Sequence, residues 1–235
     1  MSMSRIIPLL LLSCILAACR QEYRIVGENN IIGLEGRKLY LKKYSNEDLV
    51  VIDSATIRHG HFRFHGRLDS TLFVHLFLEG ESFMPVVLEE GEVSMRFSDT
   101  VRFVGGTPLN DSLYSFIRRK AVFDDLMVGV MKKETALIMD GYDPDDVARM
   151  LSAEAMRVQQ LSERFVAQFI KSNYRNVLGP GIFMIMSSVY DFPIMTPEIE
   201  AVIVGAPQEF LADPYVRAYV DMARANTEKM RAQQP

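Results

Sequence analysis

The sequence predicts an α+β protein, with an N-terminal antiparallel β-sandwich over residues 19–106 followed by a helical region over residues 107–235. Three observations predict it. As far as residue 105 or so, apolar residues recur with period 2 in short runs bounded by Gly, Asn, Asp and Pro. Beyond that point the period changes to 3.6, and Thr-Pro and Asp-Pro pairs stand before apolar-periodic segments. A chain of 235 residues, 49% hydrophobic and 24% charged, can bury a full core in one or two domains.

Residues 1–18 read as a signal peptide and not as part of the fold. Arg5 supplies a positive start, Ile6 to Leu12 an apolar run too short to span a bilayer, and Leu16-Ala17-Ala18-Cys19 a small-residue cleavage site. That ending resembles a bacterial lipobox, in which the cysteine becomes the first mature residue and carries acyl chains. Cys19 is therefore the expected lipidation site, and a membrane, reached through the lipid anchor, is an expected partner. Arg20 stands after the cysteine where an Asp would favour retention in the inner membrane, so the expected address is the outer membrane, on its periplasmic or its surface side. Removal of the signal lowers Lys+Arg from 26 to 25 against 30 Asp+Glu. No block of Lys or Arg forms a basic face, which excludes nucleic acid as a partner. Cys14 leaves with the signal and Cys19 is acylated, so no disulfide or redox pair is left. Thiol-disulfide oxidoreductase activity is accordingly not expected.

Eight strands fit the β-rich half: Tyr23–Gly27, Lys38–Lys43, Leu49–Ile57, His61–Gly66, Thr71–Leu78, Phe83–Leu88, Glu92–Phe97 and Val101–Val104. Val50 to Gly66 reads as a β-hairpin turning at His59-Gly60. Phe62 and Phe64 lie on one face of its second strand, and His61, Arg63 and His65 on the other. Apolar residues on both faces of Leu72–Leu78 mark a central strand covered on both sides.

Gly105-Gly106-Thr107-Pro108 closes the sheet, with Thr107 as N-cap and Pro108 at the first helical position, where its missing N–H costs nothing. Asp143-Pro144, Thr196-Pro197 and Asp213-Pro214 repeat the device. Val147, Leu151, Val158, Leu161, Phe165 and Phe169 trace one face of the longest predicted helix, ending near Asn173. Ile182 to Tyr190 is apolar and Met-rich all round, the mark of a buried helix at the centre of the helical half.

Several stretches stand in an order that resembles a domain of unknown function, DUF4369. They are Tyr23-Arg24-Ile25-Val26-Gly27, Gly36-Arg37-Lys38-Leu39-Tyr40-Leu41, Asp53-Ser54-Ala55, Gly60 to Gly66, Val87-Leu88-Glu89-Glu90-Gly91 and Gly106-Thr107-Pro108-Leu109-Asn110-Asp111. The likeness covers roughly residues 23–111, with a looser likeness around Phe169 to Leu178. The resemblance implies the N-terminal region of an exported Bacteroidetes lipoprotein, a region that in the family precedes a thioredoxin-like, peroxiredoxin-type domain with a Cys-x-x-Cys pair. This chain has no such pair, and the expectation is a stand-alone accessory region without that C-terminal domain. No catalytic residue of the family can be carried over.

Candidate sites in the sequence itself are few. His59, His61, His65 and His75 cluster in sequence, but His61 and His65 on one strand lie about 13 Å apart, too far to share an ion. No cofactor, metal ligand set or catalytic residue is assigned. Glu79, Glu81, Glu89, Glu90 and Glu92 read as solvated loop charges. Gly105-Gly106-Thr107 reads as a helix cap and not a phosphate loop, since no Gly-Lys-Ser/Thr ending follows. Met184, Met186 and Met195 read as gap-filling core. The expected function is a non-catalytic interaction or accessory module anchored in the envelope, with an envelope protein as partner. Two other readings stand beside it: a hydrolase-type enzyme with a site at the sheet-helix junction, and a His-based metal-binding protein. Recognition is expected at that junction, near Gly105 to Asn110, with Asn110 and Asp111 exposed.

Overall fold

The computed structural model describes residues 21–45 and 48–232, so the expected signal peptide and the lipidation site Cys19 lie outside the described residues. The first half forms strands β1 (Gln21–Asn29), β2 (Lys38–Ser45), β3 (Asp48–Thr56), β4 (His61–Leu68), β5 (Leu72–Leu78), β6 (Glu81–Leu88), β7 (Gly91–Phe97) and β8 (Arg102–Gly105). They make two four-stranded sheets, β4-β1-β7-β8 and β3-β2-β5-β6. Their inner faces alternate as expected for layers that each bury one face. Tyr23, Ile25, Phe62, Phe64, Val93 and Met95 come from the first sheet, and Leu39, Leu41, Val74, Leu76 and Val86 from the second. The hydroxyl of Tyr23 on β1 donates to Asp53 Oδ2 on β3 at 3.0 Å and so ties one sheet to the other.

Two details depart from the antiparallel reading. β1 pairs with β7 in parallel, from Tyr23–Gly91 to Asn29–Phe97, because the whole second sheet is built between them and brings the chain back in the same direction. The expected hairpin also divides. Arg58 and His61 exchange both backbone hydrogen bonds, at 2.8 and 3.0 Å, around His59 (φ 51°) and Gly60 (φ 73°), a two-residue turn of the primed type. Beyond that single bridge the strands part, β3 pairing with β2 and β4 with β1. The physical reason is that each strand pairs along its full length with a partner in its own layer, and two layers bury both sets of apolar residues where one flat hairpin would bury neither. Both carboxylate oxygens of Glu35 accept from the turn, from His59 N–H at 2.8 Å and Gly60 N–H at 3.1 Å, which holds the Glu35 carboxyl below the usual range.

The second half forms α1 (Pro108–Met139), α2 (Pro144–Ser172), α3 (Leu178–Ser187), α4 (Pro197–Ile203), α5 (Gln208–Leu211) and α6 (Pro214–Ala232). All four Pro-marked starts fall where the sequence puts them. Asp143 accepts from the N–H groups of Asp145 and Asp146, Thr196 from Ile199, and Asp213 from Tyr215 and Val216. The longest helix is α1, with 32 residues against 29 in α2. The two run antiparallel, joined near one end by Phe116, stacked on Phe165 and in tilted contact with Phe169, and further out by Lys133–Glu154. On α3, Leu178, Ile182 and Phe183 are buried while Ile185 is exposed, so this apolar helix is covered on part of its circumference only.

Candidate functional site

The sheet-helix junction contains two contrasting places. At the first, the corner from Gly105 to Asn110, the chain satisfies its own polar groups. Thr107 occupies the N-cap position of α1, yet its side chain makes no capping bond. The cap is Glu89, 8% exposed, whose Oε1 accepts from Leu109 N–H at 2.9 Å and Asn110 N–H at 3.1 Å. The free N–H groups at this helix start therefore do hold an anion, and it is the protein's own carboxylate. Glu89 is thus not the solvated loop charge read from the sequence. Glu90 beside it is exposed, as expected.

Asn110 is 0% exposed, which corrects its reading as a surface position. Its Oδ1 accepts from Val87 N–H at 3.0 Å and its Nδ2 donates to Val87 O at 2.8 Å, with Thr107 Oγ1 a further acceptor at 2.9 Å. Tyr114 donates to Pro85 O at 3.0 Å. Asp111 is exposed and accepts from Gly106 N–H at 2.9 Å. The start of α1 thereby covers the outer edge of β6, and the buried polar groups of this corner are met by internal contacts.

The second place is open. A groove of about 990 Å³ lies between the β2–β5 side of the second sheet and the helices α3 and α6. Its sheet wall is Lys43 and Tyr44 at the end of β2 with Thr71, Leu72 and Phe73 at the start of β5. Its helical wall includes Tyr174, Tyr190, Phe192, Tyr215 and Tyr219, with Met184 and Met222 between them. Gly181 lets α3 approach the sheet here: a Cβ at that position would stand 2.5 Å from the Phe73 ring. Met184 therefore lines this groove, whereas Met186 is half-buried against the core.

The tyrosine hydroxyls of the helical wall are committed to the protein itself. Tyr174 donates to Val202 O, Tyr215 bonds Ser187 Oγ at 3.0 Å, and Tyr219 donates to Ile194 O at 3.3 Å. Burial pushes the Tyr174 and Tyr219 hydroxyls upward from the usual phenol range. These rings offer carbon surface to the groove and little hydrogen bonding. Lys43, Arg175, Asp191 and Glu209 supply charge around it.

The histidines separate in space. His59, His61 and His65 are exposed, whereas His75 is 9% exposed. Tyr44 and Phe73 meet its ring edge-on at 5.7 and 5.6 Å, Nδ1 bonds Ser82 Oγ at 3.1 Å, and Nε2 is buried with no partner among the described residues. Burial lowers its pKa to about 4. Among the described residues no group of three or more His, Cys, Asp or Glu side chains could hold a metal ion. Also among them, no helix is long and apolar enough to cross a membrane.

Fold and site define an α+β protein in which a two-sheet sandwich and a helical region share an aromatic groove. Residues 23–113 match the family model of a domain of unknown function, DUF4369. The matched stretch contains all of the strands from β2 to β8 and the Glu89–Asn110 corner, while the helical wall of the groove lies beyond it. No curated protein matches the chain.

Proposed function

We propose that this protein is an envelope lipoprotein, anchored through Cys19, which acts as a non-catalytic interaction module and binds an envelope partner in the groove between the second sheet and helices α3 and α6. The carrying observation is the groove itself: about 990 Å³ of concave space with aromatic rings from both the sheet and the helical side in its lining, whereas at the other place of the junction Asn110 and Glu89 satisfy the chain's own polar groups. The hydroxyls of Tyr174, Tyr215 and Tyr219 along its helical wall are engaged in internal hydrogen bonds, so these rings offer apolar surface, which suits recognition better than bond cleavage. The lipobox-like Leu16 to Cys19 supports the anchor.

The test is photo-crosslinking in intact cells from a reactive residue at Ser188, an exposed groove position, with the same residue at Arg63 on the opposite sheet as control. The expected result is a discrete adduct from Ser188 that is absent from Arg63 and is lost in Ala218→Trp, which fills the groove from an exposed position of α6. Equal adducts from both positions, unaffected by Ala218→Trp, would refute the groove as the binding site.

A further inference from the structure

The ladder between β2 and β5 runs from Leu39–Leu78 to Lys42–His75 and stops there. Both strands continue. β2 goes on through Lys43 and Tyr44, paired on its other side with Val50 and Leu49 of β3. β5 starts earlier, at Leu72, with Leu72, Phe73 and Val74 paired to Leu88, Val87 and Val86 of β6. The ladder thus ends before either strand does, a fork in the hydrogen bonding of the second sheet. Between the arms no ladder joins residues 43–44 to residues 72–74, and the arms carry the residues of the groove's sheet wall.

We propose that the groove takes an extended polypeptide segment, which adds as a strand in this fork and seats an aromatic or large aliphatic side chain against Tyr44, Phe73 and Met184. The inference rests on the reading of the groove as the binding site and names the chemistry of the occupant. A strand edge presents N–H and C=O groups at the repeat of an extended chain, and a polypeptide backbone is the ligand that matches that repeat. The ring surfaces along the helical wall, with their hydroxyls turned to internal partners, provide an apolar berth for alternate side chains. His75, the last residue of the ladder, lies at the base of the fork beside Tyr44 and Phe73, and its buried Nε2 lacks a partner among the described residues. Lys43 and Arg175 against Asp191 and Glu209 give the groove charges of both signs, as suits a zwitterionic chain.

The experiment selects binders to the purified full chain from a library of random twelve-residue peptides. The best peptide is then resynthesised with every second backbone nitrogen methylated. The expected result is a peptide with alternating apolar positions that slows amide exchange at residues 43–44 and 72–74. Affinity should fall at least tenfold on methylation and vanish in Ala218→Trp. Equal affinity of the methylated peptide overturns strand addition while leaving the groove a binding site. A selection that enriches no peptide sensitive to Ala218→Trp, or one whose peptides are all displaced by oleate without any change in amide exchange in the fork, also overturns it. Failure of the in-cell crosslink, by contrast, bears on the groove itself.

Discussion

The side chain of Asn110 meets the backbone of Val87 as a neighbouring strand would, accepting from its N–H at 3.0 Å and donating to its C=O at 2.8 Å. One amide thus replaces a strand at the edge of β6, next to Pro85, which has no N–H to offer. A buried amide-for-strand exchange closes an edge that would otherwise invite another chain. It also fixes α1 against the sheet.

Asn110→Ala should cost about 2–4 kcal/mol, because it removes both partners of a buried backbone unit and each unsatisfied buried group costs on the order of 1–3 kcal/mol. Urea denaturation measures it. A loss under about 0.5 kcal/mol, typical of a surface change, would show that water replaces the amide.

Glu89→Ala should destabilise by about 1–2 kcal/mol, the range for loss of a helix cap, whereas Glu90→Ala should stay within about 0.5 kcal/mol. The comparison isolates capping from general charge, since both substitutions remove one carboxylate. Equal losses at the two positions would sink the assignment.

Stability should depend on pH through His75. Its pKa is depressed to about 4 in the folded protein from an ordinary value of 6.5, so the unfolded chain binds the extra proton between those values. The stabilisation is fully present above pH 6.5 and is lost as pH falls towards 4, amounting to about 2 kcal/mol at pH 5. In His75→Leu the fall in unfolding free energy between pH 6.5 and pH 5 should be correspondingly smaller. An unchanged slope in the variant would assign the effect to other groups.

Gly181→Ala should cost about 1–3 kcal/mol through overpacking, since the added Cβ meets the Phe73 ring at 2.5 Å. The ring must shift into the groove, so binding of a groove ligand should weaken together with stability. Retained stability with an unmoved Phe73 resonance in the NMR spectrum would contradict the close approach of α3.

Cys19→Ser should move the protein from the membrane to the soluble fraction, because two or more acyl chains anchor a protein firmly and an unacylated one is released. Membrane retention of the variant after a high-salt wash would count against the lipid anchor.

Much of the fold could be read in the residues themselves. The alternation of His61, Phe62, Arg63, Phe64 and His65 gave the buried face of β4, and Pro108, Pro144, Pro197 and Pro214 gave four helix starts. The family resemblance across the β half was legible as well, and the matched stretch of residues 23–113 agrees with it. Periodicity and capping depend on neighbours within a few positions, which is why a chain read in order reveals them.

Tertiary structure alone decided the rest. It sent the two sides of the His59-Gly60 turn into different sheets, laid β1 parallel to β7, and brought Glu89 to the start of α1 across 21 positions of chain. It also buried Asn110, left His75 Nε2 without a partner among the described residues, and ended the β2–β5 ladder before either strand ends. Each of these depends on which layers bury each other and on where a polar group finds its partner once water is excluded, a competition between distant segments that local pattern does not encode.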